Sequence, residues 1–325
     1  MVPGWCASGE DEPGCPGALS WRARTRSSRV TFNPNSDIGG TNVKRAGRGR
    51  TTGLALGGGG LGVIAIFLIA QFTGVDLSGF LGGTEVQQPG AIVGQSLEEC
   101  KTGQDANNSV DCRMAGAAAS LDPYWTGAFT TLGARASYHT PEFTLFSGST
   151  STGCGAATSA TGPFYCPGDE TIYIDTAFFD QLSSQFGAHG GPLAELYIVA
   201  HEWGHHIQNL EGTFDTVDRT QTGPTSGTVR IELQADCYAG SWVGSAANVR
   251  DRGGNRLIEP PTDAQIRDAL DAAAAVGDDR IQELGGGSVH PEAWTHGSSD
   301  QRQRWFLEGY RGGATACNTF DTKRL

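Results

Sequence analysis

Apolar side chains repeat at helical spacing along the second half of the chain. From Pro192 to Leu210 they recur three and four residues apart, and Gly212 follows as a stop signal. Related patterns predict further helices over 122–136, 176–186, 229–247, 263–276 and 299–311. Short runs rich in β-branched and aromatic residues predict strands at 143–146 and 171–175. These elements predict an α+β domain that is mainly helical, with a small β-sheet.

A longer apolar stretch near the N-terminus has a different character. Residues 54–72 carry no charged side chain and include the apolar run 61–70. About 20 apolar residues cross the core of a bilayer, so we predict one transmembrane helix over 53–74. A cleavable signal peptide and a buried core helix are the alternatives, and no small-residue cleavage site follows the run.

The charge pattern predicts an orientation for this span. The net charge is -12, but residues 1–50 hold eight Lys and Arg against four acids, and the rest of the chain holds 15 basic against 31 acidic residues. The positive-inside rule therefore predicts a disordered basic cytoplasmic segment over 1–52, a linker over 75–95 and an extracytoplasmic domain over 96–325. The predicted location is the cell membrane, as a single-pass protein. The acidic body argues against a nucleic-acid partner, because phosphate binding needs a clustered positive face.

Six of the eight cysteines follow the predicted span, an even number that suits disulfides in an oxidising compartment. Buried free thiols are the alternative. The spacings favour three pairs: Cys100 with Cys112, Cys154 with Cys166, and Cys237 with Cys317.

Candidate chemistry lies on the long helix, in the segment His201-Glu202-Trp203-Gly204-His205. Positions four apart share one face of a helix, so His201 and His205 can direct both imidazoles at a single metal ion. Glu202 lies beside that ion without binding it, where a carboxylate can take a proton from an activated water. The alternative is a helix whose histidines only pack or form hydrogen bonds.

A third ligand is available on the next predicted helix. Glu232 follows His205 by 27 residues, and Asp236 lies one helical turn further along the same face. Three protein ligands leave the fourth position of a zinc ion open for water, and Asp236 can hold the far ring nitrogen of a ligand histidine. A solvated helix face is the alternative, but the neighbouring positions are apolar, which makes unpaired carboxylates costly.

This combination of HExxH and a downstream Glu-x-x-x-Asp resembles the gluzincin arrangement of thermolysin-like enzymes. Further segments are similar to a bacterial family of neutral zinc metallopeptidases, and the likeness covers the basic head, the span and nearly all of 96–320. They are Cys154-Gly155, Gly162 to Pro167, Ile172 to Asp175, His201 to His206, Glu232 to Gly240, Gly277 to Arg280 and Thr295 to Gly297. The resemblance implies a zincin-like metallopeptidase fold.

The resemblance also implies roles for individual residues. His201, His205 and Glu232 would hold Zn2+, Glu202 would be the general base, and Asp236 would orient His201. His296 is the candidate donor to the developing oxyanion, with a helix-capping or structural role as the alternative. His206 points off the metal face, so we predict that it packs or lies at the surface.

We therefore predict a membrane-anchored zinc metallopeptidase. It would hydrolyse peptide bonds of a peptide or protein substrate by a zinc-activated water, with a Glu general base. By analogy with gluzincins, an extended substrate would lie against a sheet edge formed by 144–157. The alternatives are a membrane-anchored, zinc-stabilised binding or scaffold protein without turnover, and an enzyme that hydrolyses a non-peptide amide.

Overall fold

The structure, a computed structural model, describes residues 31–46, 94–134 and 136–325. The helices of this part of the chain are α1 (Gly103–Asn108), α2 (Val110–Ala128), α3 (Phe178–Ser184), α4 (Pro192–Glu211), α5 (Thr213–Thr216), α6 (Gly227–Ser245), α7 (Asp263–Ala275), α8 (Asp278–Leu284) and α9 (Ser299–Gly312). The strands are β1 (Val43–Arg45), β2 (Gln95–Ser96), β3 (Glu142–Phe146), β4 (Ser149–Thr152), β5 (Gly155–Thr158), β6 (Phe164–Cys166) and β7 (Thr171–Asp175). The predicted α+β class, with helices dominant, is confirmed.

Five of the strands form one mixed sheet in the order β2-β1-β3-β7-β6. The three central strands are parallel, and the two edge strands β2 and β6 run antiparallel to their neighbours. Strands β4 and β5 form a separate hairpin, and the disulfide between Cys154 and Cys166 ties this hairpin to β6. The edge strand β6 is therefore connected to β7 by strand pairing and to the hairpin by a disulfide.

The segment 31–46 is part of the folded domain, although the sequence analysis assigned it to the basic N-terminal segment. Phe32 and Ile38 are fully buried. Strand β1 pairs with β3 on one side and with β2 on the other, where Arg45 lies opposite Gln95. Its few apolar side chains are too widely spaced to form a periodic pattern, so the sequence gives no sign of an element here.

The helix predicted over 122–136 begins earlier than expected. The structure has α2 starting at Val110, where the side chain of Ser109 accepts a hydrogen bond from the backbone N–H of Cys112. Pro123 lies inside this helix and not in its first turn. Proline favours the first turn of a helix, but a helix can contain it at the loss of one hydrogen bond. Here the alanine-rich turns before Pro123 are buried, and their packing stabilises the longer helix.

Close helix contacts bring distant parts of the chain together. A Cβ atom added at Gly204 would lie 3.1 Å from the Cα of Ala235, so α4 and α6 cross almost in backbone contact. A Cβ atom at Gly309 would lie only 1.8 Å from the carbonyl oxygen of Cys237, so α9 approaches α6 even more closely. Glycine at these two positions lets three helices converge on one point.

The structure confirms the predicted pairing of the six cysteines: Cys100 with Cys112, Cys154 with Cys166, and Cys237 with Cys317. The last of these bonds joins α6 to the C-terminal tail.

Within the described ranges, none of the helices is long and apolar enough to cross a membrane. The predicted transmembrane helix over 53–74 lies outside those ranges and stays a prediction.

Candidate metal centre

Three side chains from two helices meet at the crossing of α4 and α6. His201 and His205 lie one turn apart on α4, and Glu232 faces them from α6. The Nε2 atom of His201 lies 3.2 Å from Oε2 of Glu232, and Nε2 of His205 lies 3.6 Å from Oε1. Among the described residues they form the one group of His, Cys, Asp and Glu side chains close enough to hold a metal ion, with ligand atoms within 4.8 Å of one another.

The donor set fits zinc. Zinc accepts imidazole nitrogen and carboxylate oxygen at about 2.0–2.1 Å, and tetrahedral geometry then places neighbouring donor atoms about 3.3–3.4 Å apart. The distances from the Glu232 oxygens to the two Nε2 atoms bracket that value. All three side chains are buried, so the surrounding packing restricts them to few conformations. The predicted ligand set is thus brought together in one place.

A charged cluster holds His201. Its Nδ1 atom lies 2.8 Å from Oδ1 of Asp236, which also accepts a hydrogen bond from the Tyr197 hydroxyl at 2.5 Å. Arg302 on α9 donates to both oxygens of Asp236, at 2.8 and 2.9 Å. Burial alone would raise the pKa of Asp236, but the charges of Arg302 and His201 hold it below its usual range. Asp236 therefore fixes the ring of His201, as predicted.

The two histidines respond differently to burial. Burial alone would lower the pKa of His201, but the charge of Asp236 and the hydrogen bonds to Asp236 and Glu232 raise it to about 9. Burial lowers the pKa of His205 to about 4, and the charge of His201 adds to this effect. The charge of Glu232 and the hydrogen bond from Nδ1 to the neutral amide of Gln208, at 2.8 Å, oppose it only in part. One ligand thus has a charged support and the other a neutral one.

Glu202 lies on the same helix and lines the same cleft as the three candidate ligands. Burial raises its pKa to about 7; the charge of His201 opposes this rise and that of Glu232 adds to it. The backbone N–H of Tyr165 on β6 also opposes the rise in this pKa. A carboxylate with a pKa near neutrality can both accept and release a proton, which is the property that a general base requires.

His296 reaches the same cleft from the loop before α9. Its Nδ1 atom lies 3.2 Å from Asp278, whose other oxygen accepts three successive backbone N–H groups of residues 295, 296 and 297. Burial alone would lower the pKa of His296, but the charges of Asp278 and Glu232 raise it. Among the described residues its buried Nε2 atom has no hydrogen-bond partner. The structure thus places His296 beside the three candidate ligands, and its predicted role as a donor to the oxyanion stays a prediction.

The cleft has a polar floor, formed by the ligands, and an apolar wall. Five buried or half-buried apolar side chains form that wall: Phe178, Phe186, Ile198, Val276 and Ile281. The segment 161–165, which leads into the edge strand β6, also lines the cleft. The predicted substrate edge over 144–157 does not line this cleft: β3 lies inside the five-stranded sheet, and β4 and β5 form the separate hairpin. The sheet edge beside the cleft is β6.

His206 lies away from the metal centre, as predicted. It is fully buried, with Nδ1 at 3.0 Å from the Tyr165 hydroxyl and Nε2 at 2.7 Å from the carbonyl oxygen of His139. Because a carbonyl oxygen only accepts, Nε2 carries the hydrogen and Nδ1 accepts from Tyr165. His206 therefore joins α4 to β6.

Four supporting residues were not identified from the sequence. Tyr197 and Gln208 lie on α4 itself, four residues before the first ligand histidine and three after the second, so helical spacing could have indicated them. Arg302 and Asp278 come from distant segments. No local pattern joins either of them to the motif, and only the packing of α7, α8 and α9 brings them to the site.

These features define a candidate metal centre with donors that suit zinc, and the family to which the chain belongs is also named for zinc. The chain belongs to the family described as "putative neutral zinc metallopeptidase", whose model matches residues 19–320. It is 46% identical over 259 residues to uncharacterized proteins of Mycobacterium bovis and Mycobacterium tuberculosis, covering 79% of this chain and 86% of each relative. The uncharacterized protein YpfJ of Escherichia coli K12 is 37% identical over 308 residues, 93% of this chain and 99% of the relative. No solved structure matches.

Replacing Asp278 by Asn is expected to destabilise the protein by about 1–3 kcal/mol, because the hydrogen bonds of a buried ionised group are weakened. The pKa of Asp278 is lowered, since the charge of His296 and the backbone N–H groups outweigh burial. Its ionised form therefore stabilises the fold above the unfolded-state pKa of about 3.9, and this contribution is lost as the pH falls through the folded-state pKa.

Denaturant unfolding of both proteins between pH 6 and pH 3 measures this contribution. The difference in free energy of unfolding should shrink as the pH falls. A difference that stays constant would show that the charge of Asp278 does not matter.

Proposed function

We propose that this protein is a zinc metallopeptidase that hydrolyses peptide bonds of peptide or protein substrates. The observation that carries the proposal is the convergence of His201, His205 and Glu232 at the floor of a cleft, with Glu202 beside them. The family name suggests a hydrolase, and the named relatives are uncharacterized, so the reaction itself is inferred from the geometry.

Different residues of the cleft have different roles in the proposed hydrolysis. Zinc bound there would polarise the substrate carbonyl and lower the pKa of a water molecule towards about 7. Glu202 takes the proton of the attacking water and delivers it to the leaving amine. His296 donates from Nε2 to the carbonyl oxygen as charge builds there, and one such donor is typically worth about 3–4 kcal/mol. Asp236 holds the imidazole of His201 in position, and Asp278 holds that of His296.

A peptide is favoured over a small amide by the shape of the cleft. The apolar wall can receive an apolar side chain next to the scissile bond. The segment that precedes β6 lines the same cleft, and β6 is an edge strand, so an extended peptide can pair with the backbone there.

A zinc-stabilised scaffold without turnover is the second candidate. Structural zinc sites are normally closed by four protein ligands, which leaves no position for water. In the described part of the chain only three side chains are placed as ligands. The unpartnered Nε2 of His296 and the near-neutral pKa of Glu202 also have no use in a closed site.

Cleavage of a heat-denatured protein pool by the purified chain tests the proposal. We expect one zinc per chain and cleavage that stops with a chelator and returns on addition of one equivalent of zinc. Zinc binding without any cleavage would favour the scaffold. Cleavage that survives complete removal of zinc would exclude the mechanism.

We further propose that the protein is attached to the cell membrane through 53–74, with the domain on the extracytoplasmic side. The apolar sequence of that segment supports attachment, and three disulfides support an oxidising compartment. A single crossing would place residues 46 and 94 on opposite faces of the membrane, whereas Arg45 pairs with Gln95 in one sheet. We therefore propose that both flanks of the segment lie on the extracytoplasmic side, in place of a cytoplasmic N-terminus.

Protease treatment of intact spheroplasts tests this topology, with one epitope tag at the N-terminus and another at the C-terminus. Both tags should be digested while a cytoplasmic marker protein survives. Protection of the N-terminal tag alone would restore the single crossing and would require that β1 pairs differently in the membrane-bound protein.

A further inference from the structure

The second histidine ligand is held by a chain of side-chain amides that ends outside the metal centre. The Nδ1 atom of His205 lies 2.8 Å from Oε1 of Gln208. The Nε2 atom of Gln208 lies 2.9 Å from Oε1 of Gln234 on α6, and Nε2 of Gln234 lies 3.1 Å from the carbonyl oxygen of Cys317 in the C-terminal tail. We call this series of hydrogen bonds, from His205 to Cys317, the amide relay.

Backbone carbonyl oxygens, which can only accept hydrogen bonds, determine the direction of every hydrogen bond in the amide relay. The carbonyl oxygen of Cys317 can only accept, so Gln234 must present its NH2 group there and its oxygen to Gln208. Gln208 donates its second amide hydrogen to the carbonyl oxygen of Ile231, at 2.7 Å. Both of its hydrogens are thus committed, and its oxygen must face His205. An inverted amide at either position would leave two acceptors facing each other.

This polarity selects one tautomer of His205. Because Gln208 offers only an oxygen, the Nδ1 atom of His205 carries the hydrogen and the Nε2 atom keeps its lone pair. That Nε2 atom is the one that faces Glu232. A neutral side chain therefore selects the tautomer of His205 that can bind a metal ion. The same tautomer of His201 is selected by the ionised Asp236.

The outer end of the amide relay is anchored firmly. Cys317 is bonded to Cys237 on α6, and two residues later the hydroxyl of Thr319 donates to the carbonyl oxygen of Arg230 on the same helix, at 2.8 Å. Gln208 is fully buried, and Gln234 is 7% exposed, so water has little access to replace these bonds. Loss of any inner bond leaves a buried polar group without a partner.

We infer that Gln208 is a positioning residue for the metal centre and that the C-terminal tail contributes to metal affinity through Gln234. The inference rests on the metal-binding part of the proposed function and not on peptide hydrolysis. Partners that orient metal ligands typically change metal affinity 10–100-fold when they are replaced. We expect a loss of that size for Gln208→Leu, which keeps the bulk of the side chain and removes the acceptor.

Zinc affinity, measured by competition with a chelator, is the first test. Gln303→Leu is the matched control, because Gln303 donates to the carbonyl oxygen of Leu270 and takes no part in the amide relay. It should bind zinc like the unaltered protein. Gln234→Leu should show a smaller loss than Gln208→Leu, and the double variant should bind no more weakly than Gln208→Leu alone, since both act through one path. Additive losses would overturn the amide relay.

The tautomer of His205 is the second test and needs neither metal nor activity. In long-range proton–nitrogen NMR spectra of the zinc-free protein, His205 should carry its hydrogen on Nδ1. Gln208→Leu and Gln234→Leu should both raise the share of the Nε2–H form, and Gln303→Leu should not. An unchanged tautomer in the first two variants would overturn the inference, and either variant alone suffices if the other does not fold. Should the unaltered protein bind no zinc, the proposed function fails while this measurement still decides the amide relay.

Discussion

Replacing Glu202 by Gln is expected to reduce peptide hydrolysis by about 10²–10⁴-fold, the usual contribution of a positioned general base. Glutamine has nearly the same shape and size as glutamate. It cannot take a proton from water at neutral pH. Because Glu202 is not one of the three clustered ligands, zinc should remain at one per chain.

Steady-state kinetics and zinc content, measured on the same preparation, check this expectation. The values of kcat and kcat/KM should fall together, because the lost interaction acts in the transition state. A Glu202→Gln protein that cleaves as well as the unaltered one would remove Glu202 from the mechanism. A variant that loses zinc as well would make Glu202 a part of the ligand set.

Replacing His201 by Ala is expected to abolish tight zinc binding itself. His201 supplies one of three donor atoms, and its loss also leaves Asp236 and Arg302 without their ring partner. A ligand that binds only the folded state stabilises it by about 4 kcal/mol at a concentration 1,000 times its Kd. Zinc at that concentration should raise the free energy of unfolding of the unaltered protein by this amount and leave His201→Ala unchanged.

His206→Ala is the matched control for this experiment. It removes a buried imidazole from the same helix, with two hydrogen bonds, so it should lower the free energy of unfolding by about 1–3 kcal/mol. Zinc should still stabilise that variant. Equal zinc responses in His201→Ala and His206→Ala would contradict the assignment of the ligands.

The core of the site could be predicted because helical geometry is local. The spacing of His201 and His205 fixes their common face, and the motif fixes the place of Glu202. Glu232 and Asp236 could be found because an apolar helix rarely carries two unpaired carboxylates. Each of these inferences needs only a helix and its own side chains.

The remaining parts depend on packing between distant segments. Arg302 reaches Asp236 because α9 packs against α6 at Gly309, and the sequence of neither helix indicates that contact. The segment 31–46 joins the sheet through a strand of only three residues, and its few buried apolar side chains are scattered along the sequence. The start of the helix predicted at Asp122 was wrong because proline favours the first turn of a helix, whereas Pro123 lies in the middle of one that begins at Val110.

Hydrolysis in water enriched in oxygen-18 tests the central claim most directly. The zinc-loaded protein is incubated with a denatured protein pool, and the new C-termini are identified by mass spectrometry. We predict new carboxylates that carry one oxygen-18 atom, that disappear with a chelator and that are absent with Glu202→Gln. No new C-termini beyond those of the Glu202→Gln control would contradict the assignment of this protein as a peptidase.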